Sequence, residues 1–106
     1  MSAFSDPPSG AASRESAAAE VCLRHEAGLH ARPAVKLTKL AKRFASRVSM
    51  STSADGPWID AKSIVKVMAA KAPRGSILHF RADGPDAGAA VGALVALVER
   101  DFPDDG

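Results

Sequence analysis

The sequence predicts an α+β fold: a four-stranded antiparallel sheet with three helices on one face, in the order βαββαβα. Two patterns point to it. Four short stretches alternate apolar and polar residues with the period of a half-buried strand, and three others repeat apolar residues at helical spacing. A third observation limits the size: 106 residues suffice for one domain with one modest core.

The elements follow in order. Residues 1–18 are rich in Ser, Ala, Pro and Gly, with too little periodic apolar surface to offset their ordering entropy. They are expected to form a flexible tail before a domain spanning residues 19–103. Val21, Leu23 and His25 alternate with Cys22 and Arg24, predicting the first strand. From Ala31 to Phe44, Ala34, Leu37, Ala41 and Phe44 follow helical spacing with Leu40 beside them, and Lys36, Lys39, Lys42 and Arg43 take the other side. Arg47–Thr52 and Trp58–Ala61 read as two strands joined across a turn at Asp55-Gly56-Pro57. Ser63 is placed to cap a short helix from Ile64 to Lys71, which Pro73 and Gly75 end. Leu78, Phe80 and Ala82 alternate in a fourth strand. After Gly84-Pro85, Asp86 is expected to cap a last helix with Ala90, Leu94, Leu97 and Val98 inward.

Composition narrows the function classes. Hydrophobic residues make up 46% and charged residues 25%, with a formal charge of +2, the mix of a soluble globular domain. The small charge and few aromatics argue against a nucleic-acid-binding module built on the basic first helix. The single cysteine, Cys22, excludes an intramolecular disulfide and reads as a small strand residue. No metal-ligand spacing is present, and neither metal nor cofactor is expected. The longest apolar run, Ala89–Val98, is about half of what a bilayer requires, and the N-terminus lacks a secretory pattern. A soluble, cytoplasmic monomer is expected.

The chemistry lies in Gly28-Leu29-His30-Ala31-Arg32-Pro33-Ala34, between the first strand and the first helix. Gly28 permits a sharp turn, and Pro33 suits a first helical turn, where its missing N–H costs nothing. His30 then falls at or beside the N-cap. The first amides of a helix, here those of Ala31 and Arg32, have no intrahelical partner, and the helix dipole adds partial positive charge. An anion on His30 would find donors waiting, and the positive end favours the neutral, nucleophilic imidazole. Arg32 can fold back to offer a bidentate contact to phosphate oxygens. Phosphoryl transfer asks for little beyond such positioning and charge stabilisation. His25 and His79, in predicted strands, are expected to be structural.

GLHARPA, residues 28–34, resembles the active-site signature of the HPr family, the histidine-containing phosphocarriers of the bacterial phosphoenolpyruvate-dependent phosphotransferase system. AKSIVKVMAA, residues 61–70, resembles that family's second signature, at the expected separation. The resemblance covers residues 20–102. It implies the HPr-like open-faced sandwich and a phosphocarrier rather than a turnover enzyme. His30 would accept a phosphoryl group on Nδ1 from Enzyme I and pass it to an EIIA-type protein, with Arg32 as phosphate partner. Ser63 matches the serine that an HPr kinase/phosphorylase modifies in some lineages, although a capping serine needs no regulation to explain it. Ile64, Val65 and Met68 match an apolar docking patch, which Lys36, Lys39, Lys42 and Lys66 could ring and so steer acidic partners.

Some positions depart from the family. Ala27 stands where many members carry Asn or Ser, Lys66 where a small residue is common, and Trp58 is unusual. The Ala-rich second helix and the ALVALVERDF ending look more like the nitrogen-related branch than the sugar-transport one. A rival reading is an HPr-like docking regulator that is never phosphorylated.

Overall fold

The structure, a computed structural model, describes residues 15–103. Its elements are β1 (Glu15–Cys22), α1 (Ala31–Ala41), β2 (Arg47–Ser51), β3 (Ile59–Asp60), α2 (Ile64–Ala69), β4 (Ile77–Gly84) and α3 (Ala87–Glu99). The expected βαββαβα order is present. The four strands form one antiparallel sheet in the order β1-β4-β2-β3.

Alternation assigns the two faces. Val21, Val48, Met50, Leu78, Phe80 and Ala82 point to the helical layer and are buried. Glu20, Cys22, Arg47, Ile77, Arg81 and Asp83 lie on the open face and are exposed. The helices answer with Leu37, Ala41, Val67, Ala90, Leu94 and Val98, all fully buried. Burying a side chain of Leu or Phe size contributes about 1.5–3 kcal/mol, so this shared layer is the main source of stability. On the open face the Arg81 guanidinium lies 4.0 Å from the Trp58 ring centroid, which gives the unusual tryptophan a partner.

Several boundaries differ from those read in the sequence. β1 takes in Glu15–Ala18, which fall in the expected tail, because β4 is long enough to pair Glu15 with Gly84 and Ala18 with Arg81. Glu15 also accepts a hydrogen bond from Gly88 N–H at 3.2 Å, at the start of α3. Residues 1–14, the remainder of that tail, lie outside the described residues. α1 ends at Ala41 rather than Phe44, since Arg43 and Phe44 donate to carbonyls three residues back, a tightening common at helix ends. α2 ends at Ala69, and Lys71 takes a positive φ of 49° as the chain turns away.

Asp86 is the N-cap of α3 but does not cap it with its side chain. Its carboxylate accepts instead from Ala45 N–H at 3.0 Å, Ser46 N–H at 2.8 Å and the Ser46 hydroxyl at 2.5 Å. The Ser46 hydroxyl, followed by these backbone donors, holds the Asp86 carboxyl below the usual carboxylate range. Asp86 thus ties the start of α3 to the chain entering β2, a long-range contact that capping rules do not reveal.

Candidate phosphoryl-acceptor site

Four residues before α1 bring His30 to the surface while anchoring the chain beneath it. Gly28 adopts φ +75°, and a Cβ there would stand 2.6 Å from the Ala72 carbonyl oxygen. Only glycine suits both constraints. Its N–H closes a turn on the His25 carbonyl at 2.9 Å, and Leu29 N–H donates to Ala72 O at 2.9 Å. Leu29 is 2% exposed, so the residue before the histidine is set into the core.

His30 is the N-cap of α1, in extended conformation, with its carbonyl accepting the first helical hydrogen bond from Ala34 N–H at 2.9 Å. The His30 side chain is exposed and makes no capping hydrogen bond. Pro33 is buried in the first turn, where it lacks a donor that would have no partner anyway. Ala31 and Arg32 keep their N–H groups without an acceptor among the described residues. The Arg32 side chain is exposed beside them. The result is an exposed imidazole at the positive end of an 11-residue helix, with two backbone donors following it in sequence and the exposed Arg32 two residues on.

The segment that carries the second signature is tied to the first through the backbone. The segment leaving α2 supplies Ala72 O to Leu29, and Leu23 exchanges hydrogen bonds with Ser76 O and Gly75 N–H, each at 2.8 Å. On α2, Val65 is 73% exposed and Met68 40%, whereas Ile64 is half-buried against the core. Ser63 caps the helix by accepting from Lys66 N–H at 3.3 Å. One expectation for the surroundings changes. Lys36 is not a free steering charge, because its ammonium donates to Phe102 O at 3.2 Å and Pro103 O at 2.8 Å. Lys39, Lys42 and Lys66 remain exposed.

His25 is not in a strand. β1 stops at Cys22, and the turn to Gly28 leaves the His25 ring 5.7 Å from that of His30 and 5.8 Å from that of Phe102, edge-on to both. The signal was available in part: a glycine that favours positive φ at position 28 marks a turn beginning three residues earlier. His79 does lie in β4 as expected, with Nδ1 3.5 Å from a Glu20 carboxylate oxygen. Among the described residues there is no cluster of His, Cys, Asp or Glu able to hold a metal ion, and no helix long and apolar enough to cross a membrane.

Comparison with known proteins points to one family. Residues 17–100 match the family model described as the PTS HPr component phosphorylation site. The chain is 48% identical over 75 residues to the phosphocarrier protein HPr of Cupriavidus necator, an alignment spanning 71% of this chain and 82% of that protein. It is 33% identical over 85 residues to the phosphocarrier protein NPr of Proteus mirabilis, across 80% of this chain and 93% of that one. The crystal structure of HPr-C-His from Thermoanaerobacter tengcongensis superposes with a TM-score of 0.76 at 30% identity, over 85% of this chain and 99% of the other. A matched phosphorylation-site model, relatives aligned over most of their length and a shared open-faced sandwich together place this chain in the HPr family of phosphocarrier proteins.

Proposed function

We propose that His30 is the residue that carries the phosphoryl group, accepting it from phosphorylated Enzyme I and donating it to an EIIA-type protein in the cytoplasm. The observation that carries this reading is the exposed His30 ring at the N-cap of α1, with no hydrogen bond of its own beside the free N–H groups of Ala31 and Arg32. In the transfer, the lone pair of the neutral imidazole, at Nδ1 as in the family, attacks the phosphorus. The bond from phosphorus to the donor nitrogen breaks as the new one forms. The Ala31 and Arg32 amides and the Arg32 guanidinium then donate to the phosphoryl oxygens, and the helix dipole favours the dianion. The second transfer runs the same chemistry outward.

Val65 and Met68 form the apolar docking surface in this reading, with Ile64 contributing its exposed part and Lys39, Lys42 and Lys66 attracting acidic partners. Ser63 is the site at which an HPr kinase/phosphorylase would act. A phosphate there would sit at the start of α2, yet next to the apolar surface, and would oppose an acidic partner.

The test follows labelled phosphate from phosphoenolpyruvate through Enzyme I to this chain and on to an EIIA protein. Wild type is expected to label and to discharge onto EIIA. A chain that binds both partners but takes up no label would instead be a docking regulator.

A further inference from the structure

We infer that His25 is a positioning residue for phosphoryl transfer, holding the His30 ring in the orientation that reacts; this rests on His30 being the acceptor. The need for such a residue follows from the site itself. The His30 side chain is exposed and makes no capping hydrogen bond, so nothing polar fixes its rotamer. A free imidazole divides its time among staggered conformers, and only those that bring the reacting nitrogen beside the Ala31 and Arg32 amides lead to transfer.

The one ring that meets His30 among the described residues is that of His25, with centroids 5.7 Å apart and planes at 62°. That separation and tilt are those of a favourable edge-to-face aromatic pair. His25 is in turn held on three sides. Its carbonyl accepts from Gly28 N–H at 2.9 Å, and its Nδ1 faces Ala27 N–H at 3.4 Å, with Ala27 acting through its backbone. Its ring lies edge-on to Phe102 at 5.8 Å and 76°.

Phe102 is itself fixed. It is 5% exposed, its N–H donates to Leu97 O at 2.9 Å, and its carbonyl accepts from Lys36. A continuous set of contacts therefore runs from the end of α3 and the body of α1, through Phe102 and His25, to the His30 ring. Along that route, ring contact rather than charge conveys the restraint.

The test varies this chain as the substrate of phosphorylated Enzyme I and separates kcat from KM. His25→Ala is expected to lower kcat about 2- to 10-fold, the conformer ratio that an edge-to-face contact sustains, with KM unchanged. His25→Phe keeps a ring but no nitrogen, and is expected to recover most of the loss. In the unphosphorylated proteins, the χ1 couplings of His30 and the NMR contacts from its ring protons to the His25 ring should define one orientation in wild type. The His30 couplings should average in His25→Ala and return to the wild-type pattern in His25→Phe. A His25→Ala protein with wild-type kcat, a His30 ring equally ordered without His25, or a His25→Phe protein as slow as His25→Ala would each overturn the inference. Absence of label on wild type would overturn it together with the His30 reading, whereas a labelled wild type with an indifferent His25 overturns it alone.

Discussion

Gly28 and Leu29 are what allow His30 to be both exposed and accurately placed. One supplies a conformation closed to other residues, and the other sets the preceding side chain in the core. Gly28→Ala is expected to destabilise the fold by about 1–3 kcal/mol in urea unfolding, because its Cβ meets the Ala72 carbonyl and its φ is strained. Arg32→Ala removes an exposed side chain, so the melting temperature should barely move while transfer from Enzyme I slows about tenfold. The placement of His30 and Arg32 at the start of α1 was legible in the sequence because it is set locally: a glycine, a histidine and a proline at fixed offsets from a helix start. His25, Phe102 and Lys36 were not. Their proximity depends on the chain after α3 folding back across α1, with positive φ at Asp101 and Phe102, a closure that no local pattern encodes.

At the scale of elements, periodicity found every strand and helix but placed their ends less well. The ends are decided by partners far along the chain. Pairing with the long β4 carries β1 back to Glu15, and hydrogen bonds shift to three-residue spacing where α1 stops at Ala41. Ser63 illustrates a boundary that local chemistry does fix, since its hydroxyl accepts from Lys66 N–H. Ser63→Ala should cost about 1 kcal/mol by loss of this cap, measured by thermal unfolding. Ser63→Asp retains a capping oxygen and should stay near wild-type stability. Its negative charge beside Val65 and Met68 is expected to weaken capture by an acidic partner several-fold, as read by the KM for Enzyme I.

Across the whole molecule, one sheet face buries the core and the segment joining β1 to α1 presents the site. Alternation made the buried face of the sheet readable, since Leu78, Phe80 and Ala82 point inward as their spacing requires. The Asp86 tie to Ala45 and Ser46 was not readable, because it joins residues far apart in sequence. Its carboxyl titrates lower in the folded chain than in the unfolded one, chiefly through the Ser46 hydroxyl. The ionised carboxylate therefore stabilises the fold at neutral pH, and that contribution is lost as pH falls below about 4 toward the folded value. Asp86→Asn should melt below wild type at pH 7, and the gap between the two should narrow on acidification below about pH 4. A gap that stayed constant would remove the tie as its cause.

His30 is the residue on which the proposed phosphoryl transfer depends, and phosphorus NMR of the intact chain tests its role most directly. With phosphoenolpyruvate and Enzyme I, wild type is expected to show an acid-labile phosphohistidine resonance, and His30→Ala, with an unchanged fold, none. Equal resonances from both proteins would contradict it.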